Sequence, residues 1–278
     1  DVIYTDFSKA FDKVNHKLLR LKLKNIGFTN RSSEWIFSYL QNRTHKVCFK
    51  TAISKSIMVS SGVPQGSHLG PILFSLFIND LPSSIKFSNI LMYADDVKIF
   101  LSLSEICKNQ LLQNDLNSFV NWCNINLMEI NYSKCTLMRF TRKKLLDTCY
   151  TLGDYSLEKV DTFVDLGVVL DCKLNFKSHI SVSINKAKSV LGFVKRWSKE
   201  FKDPYVSKNL YMSIVRPILE YSSVIWDPIY KTHSDRIESV QKQFLLFCLR
   251  SFNFSYDNLP PYTDKLSLIK LPTLESRR

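Results

Sequence analysis

The stretch Ile90-Leu91-Met92-Tyr93-Ala94-Asp95-Asp96-Val97-Lys98-Ile99-Phe100-Leu101 decides how the rest of the chain is read. Two adjacent carboxylates, Asp95 and Asp96, stand between two apolar runs rich in strand formers. The simplest local structure is a tight hairpin with Asp95 and Asp96 at its bend, because Asp tolerates turn backbone angles. Such a hairpin projects two negative charges from an apolar ribbon. Adjacent like charges repel and strand formation does not need them, so the pair makes sense beside a cation. On its own, an Asp-Asp pair reads as a solvated turn. The rest of the chain changes that reading.

Upstream, residues 1–12 read DVIYTDFSKAFD. Val2, Ile3 and Tyr4 suggest a buried strand that delivers Asp6 at its end, where a carboxylate either caps a turn or serves metal chemistry. A helix is expected from about Asp12 to Ile26, with Gly27 as its C-cap. A second is expected over 31–43, capped by Ser32 or Ser33, with Trp35, Ile36, Tyr39 and Leu40 as the packed face. Val47-Cys48-Phe49 and Ile57-Met58-Val59 read as two strands paired around a turn at Ala52 to Lys55. Then comes GVPQGSHLGPILF, residues 62–74, which holds three of the chain's seven Gly. Gly66 and Ser67 are expected to open a helix with Pro71 in its first turn. The bare glycine surface lets a flat ligand approach, and Gln65 offers a donor and an acceptor beside it. The stretch has neither a Walker ending nor a dinucleotide-binding spacing.

Downstream, a long amphipathic helix is expected from Ser104 to Asn124, then a strand from Thr136 to Phe140 with Lys134 at its start. Lys in such a place is usually solvated. A basic stretch, Arg142-Lys143-Lys144, begins a loop. Strands follow at Tyr155 to Val160 and Phe163 to Leu170, with Gly167 inside the second as a bulge or close approach. From about Asn175 the period turns helical, through Ile180, Ile184, Ala187, Leu191 and Val194. One or two helices interrupted by Pro217 follow between Tyr205 and Tyr221, and a last long helix carries Ile237, Val240, Phe244 and Phe247. The cluster Lys195, Arg196, Lys199 and Lys202 is a wet face or a phosphate contact. The strands give way to helices near 172–176, which divides the chain into residues 1–172 and 173–278.

Composition narrows the class. Of 278 residues, 45% are hydrophobic, enough for a substantial core, and 38 Lys and Arg against 25 Asp and Glu leave +13. That excess favours a polyanionic partner, nucleic acid before membrane. The seven Cys are scattered without C-x-x-C spacing, which argues against a disulfide framework or zinc knuckle and for a reducing compartment. No apolar run approaches a membrane span, and the N-terminus lacks a signal-peptide pattern, so an intracellular protein is expected. The chain opens directly on a strand and closes on Ser276-Arg277-Arg278, so both ends read as cut from something longer.

Strand-Asp, helix, Gly-rich helix start, Asp-Asp hairpin and long helix fit a small sheet backed by helices, an α+β fold. In such a sheet Asp6 meets Asp95 and Asp96 on a neighbouring strand. Three carboxylates on one edge suit two divalent metals about 3.5–4 Å apart, which clamp the attacking and leaving oxygens of an in-line phosphoryl transfer.

In order, YTDFSKAFDKV, GVPQGSHLGPILF and YADD resemble the reverse transcriptases of non-LTR (LINE-type) retrotransposons, most of all the jockey and X-element group. The likeness continues through LMEINYSKCTLMRF, DLGVVLD and LYMSIVRPILEYSSVIWDP. It implies a partial polymerase palm with primer-grip strands over 1–172 and a helical thumb or connection over 173–278, with the family's fingers, which precede the strand carrying Asp6, missing. Asp6 and Asp95 match the catalytic aspartates that hold the metals, two Mg²⁺ with Mn²⁺ as a substitute, and Asp96 completes the pair. The carbonyl of Phe7 would be a further ligand. Phe11 matches the gate that packs against the sugar and excludes ribonucleotides. Gln65 and Gly66 match positions beside the incoming deoxynucleotide and the template, and Tyr93 opens the motif at the substrate's edge. Lys134 falls where the family has a lysine proposed to protonate the leaving pyrophosphate. Leu166 and Gly167 fall in the strand pair that grips the primer end. The implied partners are an RNA template, a DNA primer or target DNA and deoxynucleotides, with the element's ribonucleoprotein in cytoplasm and nucleus. Two rivals remain: a non-catalytic nucleic-acid-binding remnant and, ranked last, a two-metal nuclease.

Overall fold

A computed structural model describes residues 1–102, 108–141, 148–198, 203–250 and 260–278. The basic stretch Arg142-Lys143-Lys144, together with Lys199 and Lys202, lies outside the described residues. The fold mixes helix and strand, and the chain divides into two compact units, Asp1–Asp161 and Thr162–Arg278.

The first unit is built on a five-stranded sheet. Its strands are β1 (Val2–Thr5), then a separate ribbon of β2 (Thr44–His45), β3 (Cys48–Phe49), β4 (Ala52–Ile53) and β5 (Ile57–Met58), then β6 (Asn89–Tyr93), β7 (Asp96–Phe100), β8 (Thr136–Met138), the small pair β9 (Thr151–Leu152) and β10 (Tyr155–Ser156), and β11 (Glu158–Val160). The main sheet runs β11-β8-β1-β7-β6, antiparallel except for the β11–β8 edge. One rung shows why it holds: Ile90, Ile99, Ile3 and Leu137 are register partners, and the last three are buried almost completely. Strand alternation puts that row on one face, where helices cover it.

Those helices are α1 (Ala10–Lys13), α2 (His16–Ile26), α3 (Asn30–Leu40), α4 (Leu69–Ile78) and α5 (Lys108–Ile125). The single helix expected from Asp12 is two, because Asn15 caps α2 by accepting from the amides of Lys17 and Leu18. Gly27 ends α2 in a left-handed conformation with φ 105°, as its C-cap reading required. Thr29, not Ser32 or Ser33, caps α3, whose packed face is Ser33, Ile36 and Leu40 while Trp35 faces solvent. Helix α4 starts at Leu69 rather than Gly66, with His68 as its N-cap, and Ser67 Oγ, one residue earlier, accepts the Gly70 amide at 3.0 Å. Phe74 and Phe77 of α4, Leu116 and Phe119 of α5, and Leu19 and Leu23 of α2 share one core with the sheet.

The second unit starts with the hairpin β12 (Thr162–Asp165) and β13 (Val168–Asp171), followed by α6 (Lys177–Trp197), α7 (Pro204–Leu210), α8 (Arg216–Glu220), α9 (Ser223–Trp226), α10 (Lys231–Arg250), α11 (Tyr262–Ile269) and α12 (Leu274–Arg277). The change from strand to helix falls after Asp171, yet the units divide earlier. Val168 packs in one core with Ile180 and Ile184 of α6, which ties the hairpin to the helices that follow it. Gly167 lies in the hairpin's two-residue loop, not inside a strand. Pro217 does not break its helix: it occupies the first turn of α8, and the backbone before it widens into a π turn over Tyr211–Val215. A proline has no amide to donate, and the wider turn absorbs the missing bond.

Candidate functional site

The carboxylates stand where β1 and β7 run out side by side. Thr5 pairs with Val97, so continuing the register sets Asp6 opposite Asp96. On the other side of β7, Asp96 pairs with Tyr93, which leaves Ala94 and Asp95 as the two-residue loop. Asp96 is therefore the first strand residue rather than part of the bend. Ala94 takes the left-handed φ of 52°, an unusual conformation for a residue with a Cβ. Asp95 is half-buried, and Asp96 and Tyr93 are exposed. Thr5 closes the neighbouring rung by donating its hydroxyl to the Val97 carbonyl at 3.0 Å.

Two sets of interactions from other elements hold the strands that carry this corner, one at the far end of β6 and one beside Asp6. Asp115 of α5 is buried, and its carboxylate accepts the amides of Lys86, Phe87 and Ser88, the segment that leads into β6. On the other side of β1, the Asp6 carbonyl accepts from the Asn131 amide and the Ser8 amide donates to the Glu129 carbonyl, both at 2.8 Å. These bonds flank a bridge between Phe7 and Ile130. Phe7 is thus in a non-hydrogen-bonded pair, and its own carbonyl turns away from Ile130, toward the side on which β7 lies. Its side chain is buried against Phe119.

The Asp6 carboxylate accepts from Asn131 Nδ2 at 3.1 Å and pairs with Lys134 Nζ at 3.2 Å. Lys134 sits on a short turn, Tyr132–Lys134, just ahead of β8, which aims its side chain back along β1. Beneath, burial pushes the Cys135 thiol up to about 11 and the Cys123 thiol up to about 12, so both stay protonated and serve as packing groups. Among the described residues, no three His, Cys, Asp or Glu side chains stand close enough together to hold a metal ion. The donors at the corner are hard oxygens, the type that Mg²⁺ takes.

A second part of the site joins the Gly-rich stretch to the residues after Asp6. The Val63 amide donates to the Phe11 carbonyl and the Gly62 amide to the Val14 carbonyl, both at 2.8 Å. His16 Nε2 also meets the Gly62 carbonyl at 2.8 Å. A Cβ on Gly62 would lie 2.7 Å from the Asp12 backbone, so only glycine lets the segments approach this closely. Gln65 Nε2 then donates to Asp12 Oδ1 at 3.2 Å, and Phe11 stacks on Phe74 with ring centroids 4.5 Å apart. Gly66 has φ 79° with open space around it, so its requirement is conformational.

Leu166 and Gly167 belong to the second unit. Both have positive φ, the signature of a two-residue type I′ loop. Tyr221 donates its hydroxyl to the Leu166 carbonyl at 2.9 Å, and its ring would lie 3.2 Å from a Cβ on Gly167. Asn131, Asp115 and Tyr221 escaped the reading of the sequence. Asn131 carries a faint signal, a polar residue in register with the end of β1. Asp115 and Tyr221 carry none, since each acts on a segment far along the chain.

Residues 2–201 match the reverse transcriptase (RNA-dependent DNA polymerase) family. The chain is 28% identical over 253 residues to the RNA-directed DNA polymerase from mobile element jockey of Drosophila melanogaster. It is 28% identical over 249 residues to the probable RNA-directed DNA polymerase from transposon X-element of the same species. Each match takes in 87% of this chain but only 27% of the relative, so the chain spans little more than a quarter of those proteins. Among solved structures, telomerase from Candida albicans in complex with a fragment of telomeric RNA aligns over 98% of this chain and 51% of its own, at 11% identity and a TM-score of 0.41. Among the described residues, no helix is long and apolar enough to cross a membrane. With the family matched over most of its length, and with its three motifs folded onto one sheet and the segments beside it, the chain belongs to the reverse transcriptases.

Proposed function

We propose that this chain is the polymerase core of a non-LTR retrotransposon reverse transcriptase, which extends a DNA primer on an RNA template. The first unit acts as the palm and the second, from its hairpin onward, as primer grip and thumb. The observation that carries this reading is the register that sets Asp6 opposite Asp96, with Asp95 on the adjoining loop. Family membership supplies the reaction class.

Asp6, Asp95, Asp96 and the Phe7 carbonyl would hold two Mg²⁺, for which Mn²⁺ is a substitute. Bound there, the ions would neutralise the triphosphate and favour ionisation of the primer hydroxyl. The remaining roles belong to the chain's own groups. Asn131 holds the Asp6 carboxylate from behind, and Lys134 offers that carboxylate a counter-charge. Kept at the carboxylate's edge by that pairing, the Lys134 ammonium would give a proton to the departing pyrophosphate. Phe11, fixed by Phe74, presents a rigid ring to the sugar, where a 2′-hydroxyl would clash. Gln65, Gly66 and Tyr93 border the nucleotide, and Leu166 and Gly167 hold the primer strand. The partners are an RNA template, a DNA primer or target and deoxynucleotides, carried by a ribonucleoprotein that works in cytoplasm and nucleus.

Primer extension on an RNA template tests this, with the chain alone and with a fingers segment from a related element restored. Asp95→Asn is expected to lower extension about a thousand-fold, since a lost metal ligand forfeits several kcal/mol of transition-state stabilisation. Equal extension by wild type and Asp95→Asn would overturn the assignment. Folded, template-binding protein without extension in either form would make the chain the non-catalytic remnant.

A further inference from the structure

Between Glu34 and Asp80 the sequence has no Asp or Glu, but it has Arg43, Lys46, Lys50 and Lys55. All four cations fall on the ribbon β2–β5 or its root, and every residue from Thr44 to Met58 is exposed. The ribbon is one long hairpin. Thr44 pairs with Met58 and His45 with Ile57, then Cys48 with Ile53 and Phe49 with Ala52 around a loop of Lys50 and Thr51. Between the two pairs of rungs one strand has two residues and the other three, which makes a bulge. Ser54 bridges it, accepting the Val47 amide on Oγ at 2.9 Å.

Apolar side chains share this surface with the lysines. Val47 and Phe49 are 70% and 71% exposed, a poor arrangement for a ribbon with no partner. Edge lysines alone would serve to prevent strand-to-strand aggregation. That role accounts for the lysines but not for an exposed aromatic ring beside them, since Phe49 on an unpaired edge works against it. Cations spaced along a ribbon beside apolar rings are what a nucleic-acid strand requires: phosphates meet the cations, and base faces stack on the ring. At the ribbon's root a cavity of about 300 Å³ is lined by Arg43, His45, Val59, Asp12 and Gln65, so the surface continues to the Gly-rich stretch.

We propose that this ribbon is a binding surface for single-stranded nucleic acid, with Lys46, Lys50 and Lys55 on phosphates and Phe49 as the stacking platform. A single strand is the occupant because only unpaired bases present their faces to a ring. This inference rests on the polymerase reading, whose RNA template is such a strand, and it needs neither metal nor nucleotide, so binding is measured apart from extension.

The test is fluorescence anisotropy of the full chain with a short labelled single-stranded RNA, titrated at several salt concentrations in EDTA. Replacing three lysines, K46Q/K50Q/K55Q, is expected to flatten the slope of log affinity against log salt by about 2, at roughly 0.7 per phosphate contact. Phe49→Ala is expected to weaken single-strand binding by about five-fold or more, with little effect on a blunt duplex. Asp95→Asn is expected to bind as wild type, so loss of extension and loss of this surface are read separately. A folded triple-lysine variant with the wild-type slope would overturn the proposal. So would an equal loss on blunt duplex after Phe49→Ala, or sedimentation showing that the ribbon variants dissolve a dimer.

Discussion

The β6–β7 hairpin and the β2–β5 ribbon are both antiparallel hairpins closed by two-residue loops, and both are rich in strand formers. Their surroundings are opposite. β7 pairs with β1 along its length, and its Val97 and Ile99 are buried. The ribbon pairs only with itself and leaves Thr44 to Met58 in solvent. Strand propensity is therefore common to both, and burial comes from neighbours. A hairpin with three or more strands beside it is a fixed platform, whereas two strands in water gain little from their own pairing. The first presents carboxylates from a rigid corner. The second carries cations and an aromatic ring that a ligand can engage from either face.

The comparison is broken most severely from behind the rigid hairpin. Asp115→Ala removes the buried carboxylate that accepts three amides, those of Lys86, Phe87 and Ser88. Unfolding in urea is expected to show a loss of about 3 kcal/mol, from unsatisfied donors and a lost charge-assisted network. Asp115→Asn keeps one acceptor and is expected to recover part of that loss. Stability unchanged in Asp115→Ala would mean that the hairpin is held by β1 alone.

The same contrast explains what the sequence made legible. The Asp-Asp tip was readable because its flanking runs are continuous strands whose core positions, Val97 and Ile99, alternate. Asp6 was readable because a buried strand, Ile3 to Thr5, ends there. The ribbon's register was not, because its turn is Lys50-Thr51, which carries no turn signature, and a bulge shifts the pairing by one residue. With no buried face, its alternation gave no constraint on where strands begin. Helical period puts Trp35 on the packed face, yet it faces solvent because α3 packs through the smaller Ser33 instead. The sequence reads Gly167 as lying inside a strand, since nothing local distinguishes a glycine in a type I′ loop from one at a bulge. Its partner Tyr221 comes from a distant segment. Local chemistry thus located the charged groups, while the contacts that orient them, Asn131 on Asp6 above all, depend on the assembled sheet.

An intermediate case sharpens the comparison. The β12–β13 hairpin is a lone two-stranded pair like the ribbon, but its loop is held by Tyr221. Gly167→Ala adds a Cβ at a φ of 83° and brings it to 3.2 Å from the Tyr221 ring. Urea unfolding is expected to report a loss of about 1–2 kcal/mol, from the strained left-handed backbone and the crowding. Tyr221→Phe removes only the bond to the Leu166 carbonyl and is expected to cost about 1 kcal/mol. If Gly167→Ala is recovered by Tyr221→Ala, crowding dominates; if it is not, the backbone conformation does.

The smallest effect is expected on the ribbon, and its smallness is the point. Lys46, Lys50 and Lys55 are exposed, and no acidic residue follows Glu34 in sequence until Asp80. Replacing all three with Gln is expected to move the urea midpoint by less than about 0.5 kcal/mol equivalent, because exposed charges contribute little to folding. The direction favours slight stabilisation, since like charges on neighbouring strands repel and their removal relieves that repulsion. A large loss of stability would mean that the lysines hold the ribbon to the rest of its unit, and the contrast with the β6–β7 hairpin would collapse. Near-neutral stability, together with a flattened salt dependence of RNA binding, would assign the ribbon's charge to a ligand rather than to the fold.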